Sequence, residues 1–263
     1  MEEEHQRAWV GLVIEALVIS ILSNAVFGSS IGSVSCKYTL SYSPSSAAFF
    51  PIWLLIYSTA FYSVFLQLVG TSYFHTDDTN YYADYKSNLF FALAWFFASL
   101  WVPVFTLDEK WSHVWSAILL CLCASFALAA MVVDGSWSGK GRSKWANAAA
   151  FSLLAGWTLT AFTLSLGIAY QALYNCENLD DCDDLESDYN LINTLDTSRY
   201  YFYFPVPLIL AIPVALLAVW MSNPIFPLPL AWAIFFMQYT HFNFLALLIL
   251  VGSSVNALIQ LYI

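Results

Sequence analysis

The side chains best suited to hold a flat molecule lie in the segment "SPSSAAFFPIWLLIY", which runs from Ser43 to Tyr57. Phe49, Trp53 and Tyr57 follow one another at intervals of four, and this spacing places them on one face of a helix. Aromatic faces can stack on a flat apolar molecule, but the same stripe also suits ordinary packing between helices. The spacing by itself leaves both interpretations open.

A single carboxylate, Glu15, lies inside a predicted membrane span. An ionisable group in a span is costly and usually functional, so Glu15 could be a paired or ligand-facing acid. The interpretation that we favour is a carboxylate that reaches outward, near the interface. No predicted span has a second ionisable group in its middle, which makes a transporter or channel the least favoured class of function. The remaining polar residues of the spans, including Asn24 and Gln67, are predicted to hydrogen-bond between helices.

Zinc-protease, dithiol and nucleotide-binding motifs are absent from the sequence. It contains no HExxH, CxxC or phosphate-binding GxxxxGK[ST] pattern, and no residue stands out as a nucleophile or base, so we predict that the protein is not an enzyme. Its four histidines are scattered, and the acidic run Asp180–Asp188 lacks the glycine and ligand spacing of an EF-hand loop. We therefore predict no metal site. With only eight Lys and Arg and no basic stripe, nucleic acid is not an expected partner.

The composition is typical of a protein embedded in a lipid bilayer. Hydrophobic residues make up 60% of the 263 residues and charged residues only 10%, whereas a soluble domain has about 25% charged residues. We predict an all-α polytopic helix bundle with seven or eight spans, since about 20 apolar residues cross the hydrocarbon core. The seventh segment is short and could be re-entrant. The predicted spans are Ala8–Gly28, Ala47–Gly70, Asn88–Thr106, His113–Val133, Asn147–Tyr174, Tyr201–Met221, Phe226–Gln238 and Phe242–Ile263.

An acidic segment divides the chain into three predicted parts. Residues 1–174 hold the first five spans, residues 175–199 form an acidic extramembrane loop, and residues 200–263 hold the C-terminal spans. Cys176 and Cys182 lie in that loop, where a disulfide and two free thiols are both open possibilities. The N-terminal "MEEEHQRAW" is acidic where a secretory signal is basic, so no cleavable signal is expected.

Several motifs in the same order resemble the tryptophan-rich sensory protein family, also called the TspO or peripheral-type benzodiazepine receptor family. The spacing P-x4-F-x3-W-x3-Y, which starts at Pro44, is similar to the second-helix signature of that family. Trp101 and Phe105 match its third-helix W-x3-F, and Phe151–Ser165 resembles its fifth helix, with Trp157 at the central tryptophan. "PLPLAWAIFF", at Pro227–Phe236, resembles the extra C-terminal spans of a longer branch.

This resemblance implies a five-helix bundle around a hydrophobic pocket that binds a tetrapyrrole, such as porphyrin or haem, or another hydrophobic ligand. The pocket wall would be the matched aromatic residues, namely Phe49, Trp53, Tyr57, Trp101, Phe105 and Trp157. The polar positions of the family match less well. Ala98 and Ser165 stand where the family has asparagines, and Ser45 stands where it has a second proline. Ala150 and Leu154 stand where the fifth helix of the family has a Pro-Tyr-like start.

Two functions follow as hypotheses. The first is a non-catalytic TspO-like membrane protein that binds such a ligand. This protein is also expected to carry bound lipid. The alternative is a structural accessory subunit of a respiratory or photosynthetic supercomplex, surrounded by other membrane-protein subunits, because scaffold residues match better than polar ligand-facing ones. Either function would suit an organellar inner membrane, mitochondrial or plastid.

Overall fold

The computed structural model describes residues 2–38, 49–73, 83–135, 142–174, 206–237 and 241–260. Within those residues every regular element is a helix, which confirms the predicted all-α class. The helices are α1 (Glu2–Phe27), α2 (Ser29–Lys37), α3 (Phe49–Tyr73), α4 (Tyr85–Thr106), α5 (Lys110–Asp134), α6 (Arg142–Tyr174), α7 (Val206–Trp220), α8 (Leu228–Phe235) and α9 (His241–Gln260).

Five of these helices are long and apolar enough to cross a bilayer, which confirms the first five predicted spans. Their apolar cores are Arg7–Phe27, Pro51–Val69, Tyr85–Thr106, Lys110–Asp134 and Trp145–Leu173. The protein is therefore an integral, multi-pass membrane protein. The C-terminal apolar segments are shorter, and the eight residues of α8 reach only about 12 Å. The predicted crossings beyond residue 200 stay a prediction.

The five long helices form a closed ring in the order α1, α4, α5, α6 and α3. The contacts of α5 with α4 and α6 are the most extensive, whereas those between α1 and α3 are the least extensive of the ring. Buried alanines let the backbones of α4, α5 and α6 approach one another closely, because they place little more than a methyl group between helices. These alanines include Ala94, Ala98, Ala124, Ala127, Ala130, Ala148 and Ala155.

A network of buried amides joins α3, α4 and α6 near one end of the ring. The Gln67 amide nitrogen donates to Asn147 Oδ1 (3.2 Å), which also accepts from the Ser63 hydroxyl. Gln67 Oε1 accepts from Asn88 Nδ2 (2.9 Å) and from the backbone N–H of Ala83 (3.3 Å). All four side chains are 2% exposed or less. This polar network, made of Ser63, Gln67, Asn88 and Asn147, fixes the register of three helices.

The opposite end of the ring is tied by charges at the turn between α4 and α5. Asp108 has a left-handed backbone, with a φ of 54°, and its carboxylate pairs with Lys37 of α2. The His113 ring nitrogen Nε2 lies 3.3 Å from the other carboxylate oxygen. Because only three residues separate α4 from α5, these two helices are antiparallel neighbours.

A buried asparagine joins the chain beyond α7 to α5 and α6. Asn223 Nδ2 donates to Ser152 Oγ (2.7 Å) and lies 3.1 Å from Met131 Sδ. Gly156 leaves room for this contact, since a Cβ added there would lie 2.5 Å from the Phe226 carbonyl oxygen. The segment before α8 and α8 itself therefore pack on the five-helix ring at α6, while α7 and α9 pack mainly on each other and α9 also on α8. The division at residues 174–200 and the cysteines at 176 and 182 lie outside the described residues, so both remain predictions.

Candidate functional site

The aromatic stripe of α3 faces α6 and α4 rather than the outside of the ring. Phe49, Trp53 and Tyr57 are all partly buried and pack against the main hydrophobic core. The Trp157 indole of α6 is 1% exposed. It meets Phe49 edge-on, with ring centroids 5.6 Å apart, and Trp53 edge-on at 6.5 Å. The structure therefore brings four of the six predicted ligand residues into direct contact.

A fifth ring, Trp95 of α4, extends this group. Trp53 stacks on Tyr57 with centroids 5.5 Å apart and planes 27° apart, and Tyr57 stacks on Trp95 at 5.1 Å and 22°. Three roughly parallel rings thus bridge α3 and α4. Trp95 is not among the residues that the family motifs predict for the pocket wall. Its position inside a predicted span was the available signal, because a buried indole N–H normally seeks a partner. We call Phe49, Trp53, Tyr57, Trp95 and Trp157 the aromatic cluster.

The Tyr57 hydroxyl holds the cluster against α1. It accepts a hydrogen bond from Asn24 Nδ2 (2.9 Å) and lies 3.2 Å from Ser20 Oγ. Asn24 also donates to the carbonyl of Ser20, so this contact positions the amide as well. These bonds lie in the α1–α3 seam, where packing is least extensive. The predicted interhelical role of Asn24 fits this arrangement.

The remaining two predicted residues, Trp101 and Phe105, form a separate pair on α4. They are 7% and 2% exposed, with ring centroids 5.7 Å apart, and Phe105 meets the His113 ring edge-on at 5.5 Å. Both belong to a second, smaller core. Trp53 packs against this core and against the main one, so it connects the pair with the aromatic cluster.

Two buried donors in this region have no hydrogen-bond partner. The indole nitrogens of Trp95 and Trp101 are enclosed, yet neither meets an acceptor within the described part of the chain. A buried polar group left without a partner costs about 1–3 kcal/mol. A bound molecule that carries an acceptor, such as a carbonyl or carboxylate oxygen, would remove that cost.

The positions where the family resemblance expects polar residues are apolar or already bonded. Ala98 and Leu154 are 1% and 0% exposed within the main core. The Ser165 hydroxyl lies 3.2 Å from the hydroxyl of Ser116 across the α5–α6 contact. The indole N–H groups of Trp95 and Trp101 are therefore left to face a ligand, and the buried His113 Nδ1 atom beside Phe105 also has no partner among the described residues.

The outer surface of the ring has an apolar groove between α3, α6 and the segment before α8. It has a volume of about 370 Å³ and is lined by Thr59, Tyr62, Trp145, Ala146, Ala149 and Ile225. These residues come from α3, α6 and the segment that precedes α8, so the groove follows the seam between the ring and the C-terminal part. Its apolar lining suits a lipid chain.

Within the described ranges, no group of three or more His, Cys, Asp and Glu side chains could hold a metal ion. The acidic run at residues 180–188 lies outside those ranges, so its predicted role as a solvated loop is not tested.

Comparison with known proteins agrees with the motif pattern. A family model described as "TSPO-like protein" matches residues 7–176, well over half of the chain. This chain belongs to the TSPO-like protein family. No curated protein and no solved structure matches it. The matched region contains the aromatic cluster and the Trp101–Phe105 pair, and it ends just after α6. The C-terminal helices of this TSPO-like protein lie outside the match.

Proposed function

We propose that this TSPO-like protein binds a flat hydrophobic ligand of the tetrapyrrole class at the aromatic cluster and has no catalytic role. The aromatic faces of Trp53 and Phe49 are suited to a flat conjugated ring, because stacking favours offset contact between large apolar faces. Trp53 is the central residue of the proposal, since it is partly buried and contacts both cores.

The observation that carries the proposal is the pair of unpartnered indole N–H groups on α4. Burial without a partner is costly for a protein, and ligand sites combine apolar walls with a few directed polar groups. A porphyrin has a flat apolar body and peripheral carboxylates that accept hydrogen bonds. Trp95 and Trp101 would then supply the polar contacts that positions 98 and 154 lack.

Titration of the full-length protein in lipid nanodiscs with protoporphyrin tests this function. Saturable quenching of tryptophan fluorescence, with a matching shift of the porphyrin absorbance band, is the expected result. Trp53→Ala should weaken binding about tenfold or more, because it removes a stacking face. Trp115→Ala is the matched control, since Trp115 is 59% exposed on the outer surface of α5.

A second variant separates stacking from hydrogen bonding. Trp101→Phe keeps an aromatic ring but removes the N–H, and we expect it to weaken binding about threefold to tenfold, as for the loss of one hydrogen bond. Binding that is not saturable, or that Trp53→Ala and Trp115→Ala reduce equally, would overturn the proposal.

The accessory-subunit hypothesis, the organellar membrane and the bound lipid stay predictions. The apolar helices require a lipid bilayer, and the groove at Tyr62 and Trp145 is where we expect a lipid chain. Native mass spectrometry of the protein extracted with its lipids would test that expectation.

A further inference from the structure

The outer face of α1 carries a carboxylate at membrane depth. Leu12, Val18, Ile19 and Leu22 on this face are 42–58% exposed. Glu15, which lies among them, is exposed as well. The apolar span of α1 runs from Arg7 to Phe27, so Glu15 lies about 12 Å along the helix from one end and about 18 Å from the other. The side chain therefore faces lipid well inside the hydrocarbon layer.

This carboxylate has no partner in the chain as described. No hydrogen bond or ion pair joins Glu15 to any described residue, and the described basic side chains lie at helix ends rather than beside it. A charged side chain at the centre of a span costs about 2.5–3.5 kcal/mol on insertion scales. Such residues normally face a protein interior or pair with another group. An outward Glu15 therefore lacks the partner that its position demands.

The same side of α1 offers space for a close neighbour. Gly11 lies one turn before Glu15, and a Cβ added at Gly11 would meet no atom within 4 Å. Small residues let a second helix approach closely in a membrane, where interhelical contact depends on packing and polar bonds. The Glu15 face, defined as Gly11, Leu12, Glu15, Val18, Ile19 and Leu22, thus combines open space with a charge.

We propose that the Glu15 face docks a transmembrane helix of another membrane protein, which carries one Arg or Lys at matching depth. A cation on that helix would pair with Glu15 and remove the cost of an isolated intramembrane charge. A second copy of this chain is the poorer occupant, because it brings the same carboxylate and no described cation at that depth. This inference does not rest on ligand binding at the aromatic cluster.

Energy transfer in lipid vesicles tests the proposal with a defined probe. The full-length protein carries a donor dye, and a synthetic leucine–alanine transmembrane peptide with one central Arg carries the acceptor. A peptide with Leu in place of that Arg is the control. The Arg peptide should associate about tenfold more strongly than the Leu peptide, and Glu15→Leu should abolish the preference. Glu15→Gln keeps the shape but not the charge, so it should lose most of the preference.

A relocated charge shows whether the face matters. The double variant Glu15→Leu with Leu122→Glu moves the carboxylate to the outer surface of α5, where Leu122 is 37% exposed. We expect no recovery of Arg-peptide binding, and recovery would overturn the assignment of this face. Equal association of the two peptides with the wild-type protein would overturn the ion pair. Self-association that needs Glu15 but shows no peptide preference would assign the face to a second copy and overturn the proposal.

Discussion

The polar network and the aromatic cluster are both buried between α3, α4 and α6. The two regions differ in the kind of polar atom that has no hydrogen-bond partner. In the network, the side-chain amides of Gln67, Asn88 and Asn147 bond to one another, and the unpartnered atoms next to these bonds are Asn88 Oδ1 and the Ser87 hydroxyl oxygen. In the aromatic cluster and the adjoining Trp101–Phe105 pair, the indole nitrogens of Trp95 and Trp101 are unpartnered, and these atoms only donate. Asn88 Oδ1 therefore needs a donor, whereas the two indole N–H groups need an acceptor.

This difference separates stability from binding. The network joins three helices through bonds between protein groups, so its loss should appear as unfolding. The aromatic region joins helices through ring stacking and keeps donors unused, so its loss should appear mainly in ligand affinity. Variants in the two regions should therefore give distinct profiles, which the following changes test in order of their expected effect on stability.

Asn147→Leu should have the largest effect, because the Ser63 O–H and one N–H of the Gln67 amide both lose their acceptor inside the bundle, although Gln67 Nε2 still lies 3.4 Å from Ser63 Oγ. Leaving two buried groups unsatisfied should lower the free energy of unfolding by about 2–4 kcal/mol. Unfolding in mixed micelles with increasing dodecyl sulfate measures this loss. Ser125→Ala is the control, since the exposed Ser125 hydroxyl bonds only to a carbonyl of its own helix. A stability equal to that of the wild type would refute the role of the network.

Gly156→Ala should lower stability by about 1–3 kcal/mol, which is the usual cost of overpacking. The new methyl group would lie 2.5 Å from the backbone carbonyl oxygen of Phe226, so the C-terminal segment must move away from α6. Gly156 precedes Trp157, and a change in porphyrin affinity would show that this movement reaches the aromatic cluster. Gly252→Ala on α9 is the matched control, because an added Cβ there meets no atom within 4 Å. Equal behaviour of the two variants would contradict close packing at Gly156.

Tyr57→Phe removes the hydroxyl that joins α3 to Asn24 and Ser20. The expected loss of stability is about 1 kcal/mol, typical for one hydrogen-bonding group. Both ring stacks survive, so porphyrin quenching should remain. The comparison variant is Tyr62→Phe, at a tyrosine that is 51% exposed, for which no loss is expected. Loss of porphyrin binding in Tyr57→Phe would place the hydroxyl in the ligand site and weaken the distinction drawn above.

Trp95→Phe should change stability least, by less than about 1 kcal/mol, because two effects oppose each other. The smaller ring loses packing, but the buried N–H without a partner also disappears. Porphyrin affinity should nevertheless fall. A large loss of stability with unchanged porphyrin affinity would show that Trp95 serves only to pack the helices. It would also remove one of the two donors from the proposed site.

Much of the helical architecture could be predicted from the sequence. Apolar length predicts the first five spans, and the period of four predicts that Phe49, Trp53 and Tyr57 share a face, because both features depend on local geometry. The Trp95 contribution could not be predicted in this way. Trp95 and Tyr57 are 38 positions apart in the sequence, and only the assembly of the ring, which turns side chains of α3 and α4 toward one another, brings the two ring centroids to 5.1 Å.

The sequence by itself determined the environment of this protein, the class of its fold and its family motifs, since apolar content, helical period and motif spacing are properties of neighbouring residues. Tertiary structure alone decided which buried polar groups have no hydrogen-bond partner among the described residues. It separated Trp101 and Phe105 from the aromatic cluster and left two indole donors without acceptors within the described ranges. Each of these outcomes depends on how helices rotate against one another, and the short-range pattern of a single segment does not specify that rotation.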